Sequence, residues 1–224
     1  MELAREAAKV CIRGDIGWWE EQIGRCLFLS GRLRDSRVAL RTSMGMPPGG
    51  DSQPLRHDTS RSEHRTKTLS GVIRLARVDT CLDQPLAAIS VCVAALESFP
   101  GNVLLLTEIA RLYEALGDEE MSVKYYQNVL RNDSVNAEAL ACVATHHYYQ
   151  EQPDMALPFY RHLLQLGLGT VEVLCNMALC YLATQQLDVA LPYFFKAISL
   201  AEASGCQEAL SQLWYNASHI ALVS

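Results

Sequence analysis

Three triplets of residues recur at a spacing of 34 along the chain. Ala110, Ala144 and Ala178 form the first, Ser122, Ala156 and Ala190 the second, and Tyr126, Tyr160 and Phe194 the third. The triplets stand 12 and 4 residues apart. A step of 4 places the second and third on one face of a helix, one turn apart. A fixed period of this length marks a chain of stacked supersecondary units rather than one closed domain. Small residues fall where two helices must approach closely, and an aromatic ring fills the gap beside them. The pattern points to a binding scaffold.

Numbering each unit so that its first small residue is position 8 gives starts at Leu69, Val103, Ala137 and Val171. The unit at Leu69 keeps Ala76, Ala88 and Ala95, and Pro100 closes its second helix. The unit at Val103 turns at Gly117-Asp118, and the unit at Ala137 turns at Gln152-Pro153-Asp154. The unit at Val171 is the most regular, with Ala178, Tyr181, Ala190, Phe194 and Ala197 in register. These positions resemble the tetratricopeptide repeat. The resemblance implies an all-α fold, a right-handed superhelix of antiparallel helix pairs.

The register divides the chain into repeats at 17–43, 69–102, 103–136, 137–170 and 171–204. Residues 1–16 read as a helix packing on the array. Residues 211–224 read as the first helix of an incomplete repeat or a cap, with GCQEAL lengthening the loop before it. Gly24 and Ala76 are 52 apart, 18 more than one period, so residues 44–68 form an insertion. That segment is rich in proline and glycine and poor in apolar residues, so it is expected to be disordered. It interrupts two repeats that should stack directly.

Three further positions carry specific expectations. Pro158 and Pro192 lie several residues into second helices, which suggests a kink or a late helix start. Asp79 stands at position 11, where a bulky apolar residue is expected. A buried unpaired carboxylate is costly, so Asp79 should be exposed by distortion or paired with Arg77 or Arg74.

Composition narrows the function classes. A net charge of −6 offers no basic field to nucleic acid. The stretch MELAREAAKVCIRG lacks a signal-peptide core, and no apolar run reaches the roughly 18–20 residues of a membrane span. A cytosolic chain without direct membrane insertion is expected. The eight cysteines include no CxxC pair, and several fall on apolar helix faces, where a thiol acts as a small hydrophobe. No metal site or cofactor is expected. The chain has no nucleophile elbow, phosphate loop or HExxH motif, so catalytic residues are expected to be absent.

Longer strings say more than the period does. GDIGWWEEQIGRC, CLDQPLAA, FPGNVLLLTEIARLYE, VNAEALACVATHHYYQEQPDMALPFYRHLLQLG and LWYNASHIA resemble the tetratricopeptide subunits of the BBSome, the Bardet-Biedl syndrome complex. The resemblance implies a non-enzymatic subunit of a coat-like complex that carries membrane proteins into and out of cilia. Implied partners are the other BBSome subunits and, indirectly, an Arf-like GTPase and ciliary membrane cargo. Implied locations are the cytoplasm, the centrosome or basal body, centriolar satellites and the cilium.

In such superhelices the first helix of each unit lines a concave groove, notably at positions 2, 5, 9 and 12. Position 9 holds Arg25, Arg77 and Arg111 in three successive units. Guanidinium forks suit carboxylates and phosphates, so an acidic peptide is the candidate occupant. Local pairing with Glu114, three residues after Arg111, is the simpler alternative. His147 and Tyr148 are candidate groove residues from the unit at Ala137, although packing also explains them. The lysine and asparagine clamp of tetratricopeptide cochaperones is missing, because position 5 holds no lysine. The leading expectation is a BBSome scaffold subunit. The alternative is an adaptor that binds an acidic peptide in its groove within another complex.

Overall fold

The computed structural model describes residues 16–47, 68–205 and 207–223, and all eleven regular elements among them are α-helices. The chain divides into two compact units, Met1–Gly117 and Asp118–Ser224. The first unit holds α1 (Ile16–Leu29), α2 (Leu33–Ser43), α3 (Leu69–Cys81), α4 (Pro85–Leu96) and α5 (Val103–Ala115). The second holds α6 (Glu119–Asn132), α7 (Ala137–Tyr149), α8 (Pro153–Gln165), α9 (Val171–Ala183), α10 (Leu187–Ser204) and α11 (Gln207–Val223).

Local chemistry fixes where these helices begin. Thr68, Asn102, Asn136 and Thr170 precede α3, α5, α7 and α9. Each side chain accepts a hydrogen bond from the backbone N–H three residues on, at 3.1, 3.2, 3.1 and 3.4 Å respectively. Such a cap satisfies one of the donors a helix leaves orphaned at its start. The four caps are themselves 34 apart, so capping belongs to the repeat. The turn inside each pair is equally regular. Gly31, Asp83, Gly117, Glu151 and Gln185 adopt φ of 76°, 59°, 75°, 57° and 59°. All five stand at position 15, and only two are glycine.

In the first unit α1 packs on α2, α2 on α3, α3 on α4 and α4 on α5, while α1 also touches α3. α1 and α2 approach closely at Gly24, where a Cβ would lie 2.6 Å from Cγ of the buried Leu40. Ser36 Oγ donates to the Gly24 carbonyl at 2.7 Å and locks the same crossing. The insertion does not unstack the repeats it separates. Glu21 on α1 accepts hydrogen bonds from the hydroxyls of Thr68, at 2.7 Å, and Ser70, which pins the start of α3 to α1. Of the segment expected to be disordered, 44–68, residues 48–67 lie outside the described residues, whereas at its ends Met44 is buried and Thr68 caps α3. The helix expected over 1–16 lies outside them too, apart from Ile16.

Asp79 corrects an expectation. It is fully buried, and its partner is Arg37 on α2, not Arg77 or Arg74. Both of those arginines turn to other carboxylates. Sequence spacing along α3 could not reveal a cation supplied by the neighbouring pair.

In the second unit α6 packs on α7 and each helix then packs on the next, with α9 also touching α7 and α11. The residues of all three triplets are buried. Two of the three aromatics satisfy their hydroxyls: Tyr126 donates to Glu138 Oε1 at 3.1 Å, and Tyr160 shares a 3.0 Å bond with Thr145. Phe194 has no such need and packs among Leu174, Ala178, Ala197 and Leu213.

Two more expectations change here. Pro158 and Pro192 lie inside continuous helices, so neither α8 nor α10 starts late. Each proline is the sixth residue of its helix, where a single intrahelical hydrogen bond is lost. GCQEAL is not a long loop either. Helix α10 runs on to Ser204, Gly205 turns the chain at φ 67°, and α11 begins at Gln207. The final helix therefore starts four residues before the expected Ser211. Leu213 buries its side chain against α9 and α10, and Asn216 Nδ2 donates to Cys175 Sγ at 3.5 Å.

Candidate functional site

The first unit gathers charge on its first helices. Arg74 and Arg77 stand three residues apart on α3, and Glu108 and Arg111 stand three apart on α5, a spacing that puts each pair on one helix face. Arg77 Nη2 donates to Glu108 Oε1 at 3.0 Å, and Arg111 Nη1 lies 3.6 Å from the same oxygen. The Glu108 side chain is 15% exposed, against 60% for Arg77 and 48% for Arg111. One sheltered carboxylate thus holds two guanidinium groups at the surface. A guanidinium has five N–H donors, and Arg77 gives one to Glu108.

A second carboxylate sits beside this group. Glu21 takes the two hydroxyls at the start of α3, and Arg74 Nε lies 3.7 Å away. Arg25, also on α1, is exposed. Among the described residues it shares no hydrogen bond or ion pair with Arg77 or Arg111. The structure therefore joins two of the three position-9 arginines through a common anion and leaves Arg25 apart. The common anion is Glu108, three residues before Arg111. The three-residue spacing of Glu108 to Arg111 is a sequence signal of the same kind as that of Glu114.

His147 and Tyr148 belong to the second unit. The His147 ring stacks on Phe159 with centroids 5.8 Å apart, and Nδ1 lies 3.3 Å from Gln152 Oε1. Tyr148 is half-buried against the core of α7, α8 and α9, and burial pushes its hydroxyl pKa up. Packing accounts for both residues. Nearby, Arg161 on α8 donates to the Tyr181 hydroxyl at 2.9 Å, and Tyr181 stacks on Tyr193.

The thiols are unreactive where they are deepest. Burial, followed by Glu108 and Asp79, pushes Cys92 up to about 12, and burial pushes Cys180 up to about 11. Few of these thiols would ionise at neutral pH. Cys26 and Cys81 are exposed. Among the described residues no three His, Cys, Asp or Glu side chains are placed to hold a metal, and no helix is long and apolar enough to cross a membrane.

Comparison with known families agrees with this architecture. The tetratricopeptide repeat profile matches residues 105–136 and 171–204. Helices α5 and α6 overlap the first match, and α9 and α10 the second.

The chain has the fold of the tetratricopeptide repeat proteins.

Its similarity to curated proteins is more specific. It is 44% identical over 205 residues to tetratricopeptide repeat protein 8 of mouse and of human, covering 92% of this chain in each case. The tetratricopeptide repeat protein 8 of Caenorhabditis elegans is 35% identical over 137 residues, or 61% of this chain and 23% of that protein. The chain spans 36% of the mouse protein's length and 34% of the human protein's. Among solved structures, MamA proteins share the fold. One crystal structure of MamA has a TM-score of 0.66 at 14% identity, covering 87% of this chain and 97% of that one. A MamA double mutant reaches 0.68 at 11% identity, with 87% and 99% covered. Tetratricopeptide repeats mediate protein–protein interaction, and stacked repeats of this kind present extended binding surfaces.

Proposed function

We propose that this chain is a non-catalytic scaffold subunit of the BBSome, working with the other subunits of that complex in ciliary membrane-protein trafficking and cilium assembly. The observation that carries the reading is the 44% identity to mouse and human tetratricopeptide repeat protein 8 over 92% of the chain. Under this reading the chain resides in the cytoplasm and at the basal body, centriolar satellites and cilium. An Arf-like GTPase and membrane cargo reach it only through the assembled complex. Its exposed helix faces serve as grips for neighbouring subunits, and its repeats supply rigidity rather than chemistry.

The test is co-purification. A tagged chain expressed in ciliated cells should bring down the other Bardet-Biedl subunits and collect at the basal body. A folded chain that recovers none of them, while the matching segment of the mouse protein does so in parallel, removes the proposal.

One observation favours a second reading, an adaptor for acidic peptides. Arg77 and Arg111, from two different helices, both reach the Glu108 carboxylate while facing solvent.

A further inference from the structure

We propose that the α1–α2 pair is an exchangeable arm, and that the face of α3 on which it sits accepts the same pair from a second copy of this chain.

The pair is held together from within. Ile23, Leu27 and Ala39 form a buried cluster of their own, and Ser36 bonds the Gly24 carbonyl where the two helices cross. Its seat on α3 is built differently. Among the described residues the buried carboxylates are Glu21 and Asp79, and both serve this joint. Glu21 on α1 takes the hydroxyls of Thr68 and Ser70, with Arg74 beside it, and Arg37 on α2 pairs with Asp79 on α3. A buried ion pair adds little net stability, because its charges give up their hydration to form it. Opening the joint returns that hydration, so the pair can leave as one unit with its own core intact.

Connectivity permits the exchange. Residues 44–68 separate α2 from α3, whereas residues 97–102 suffice between α4 and α5. Residues 48–67 alone can reach about 65 Å when extended.

The same charges select the occupant. Arg37 stands at position 21 of its repeat, where the later repeats carry Ile89, Val123, Leu157 and Leu191. Asp79 stands at position 11, where the repeats after it carry Tyr113, His147 and Tyr181. Any other second helix of this chain would leave the Asp79 carboxylate buried without a cation, which is strongly unfavourable. A helix pair with arginine at position 21 is required, and a second copy supplies an identical one. In dilute wild type the tethered pair wins, because its connection holds it at an effective concentration of about millimolar. Arms trade between copies once the tethered match is broken.

The experiment uses full-length R37D and D79R chains. Each sets like charges across its own joint. Each alone should therefore stay monomeric, with α1 and α2 amides exchanging hydrogen about tenfold or more faster than in wild type. In an equal mixture at about 100 μM, the arm of the D79R chain meets the native Asp79 of the R37D chain and rebuilds a native joint. Native mass spectrometry should show a dimer with one chain of each kind. Hydrogen-exchange protection should return, in the mixture alone, to the α2 peptide that carries Arg37. R37Q and D79N take their place if a reversed chain fails to fold, as judged by helical circular dichroism.

A mixture that stays as two monomers overturns the exchangeable arm. So does an R37D chain that protects α1 and α2 as well as wild type does. Homodimers that form as readily as the mixed dimer show general association and overturn it too.

Discussion

Arg37 Nε lies 2.7 Å from Oδ1 of Asp79, whose side chain has no exposed surface. The N–H does not aim along that line, and neither Asp79 oxygen takes a hydrogen bond among the described residues. Coulombic attraction in a low-dielectric setting therefore holds the pair, with little directional bonding to offset desolvation. Removing one partner should be far worse than removing both. R37A should destabilise the chain by about 3–5 kcal/mol, while R37M/D79L should be near neutral or stabilising. Urea unfolding of the four members of the cycle checks this. A double variant as unstable as R37A shows that the pair is not the source of the loss.

The same aspartate should give stability a pH signature. Burial raises the Asp79 pKa above its ordinary 3.8, and Arg37 and then Arg41 oppose that rise without cancelling it. The folded chain therefore holds this proton more tightly than the unfolded chain does. That contribution is complete below 3.8 and is lost as pH climbs through the raised folded value. Wild type should lose melting temperature relative to D79N as pH rises above 3.8. Parallel melts across that range decide it, since a constant gap means that Asp79 has no raised value.

Gly24 is the one glycine among the small residues at position 8. The later repeats use Ala76, Ala110, Ala144 and Ala178 there. Here a Cβ would meet Leu40 Cγ at 2.6 Å and Cδ2 at 2.8 Å, and Leu40 has no exposed surface through which to move. Helix propensity alone would favour G24A by about 1 kcal/mol. Overpacking should outweigh that gain, leaving a net loss of about 1–2 kcal/mol in urea unfolding. Adding L40A, which empties the space, should make the G24A step neutral or favourable. A stabilised G24A single variant would falsify the clash.

How far the sequence is legible follows from which interactions are local. The helix starts at Leu69, Val103, Ala137 and Val171 coincide with the 34-residue register, because caps and small residues recur with it. The cap row itself (Thr68, Asn102, Asn136, Thr170) repeats with the same spacing and is visible in the sequence. The Arg37–Asp79 and Arg77–Glu108 pairs are different. Their partners lie 42 and 31 residues apart on different helices, and no one-helix periodicity encodes which cation turns to which anion. The start of α11 also escaped the register, because residues inserted after the last full repeat were absorbed into helix instead of loop.

The turn residues at position 15 lead to a prediction of opposite sign from most substitutions. Gln185 holds φ 59° and Gly117 holds φ 75°, the left-handed region in which a Cβ crowds the backbone. Gln185 is exposed, and its backbone N–H bonds to Leu182 O at 2.9 Å, a contact that any residue can make. Glycine there would relieve strain of about 1–2 kcal/mol and lose part of that to greater freedom in the unfolded chain. Q185G should therefore gain about 0.5 kcal/mol in urea unfolding. Gly117 provides the mirror test, because an added Cβ would meet no atom within 4 Å. Any loss in G117A must then come from the backbone itself, and it should be about 1 kcal/mol. A neutral G117A, or a destabilised Q185G with unchanged helicity, would show that the left-handed turn carries no strain in these repeats.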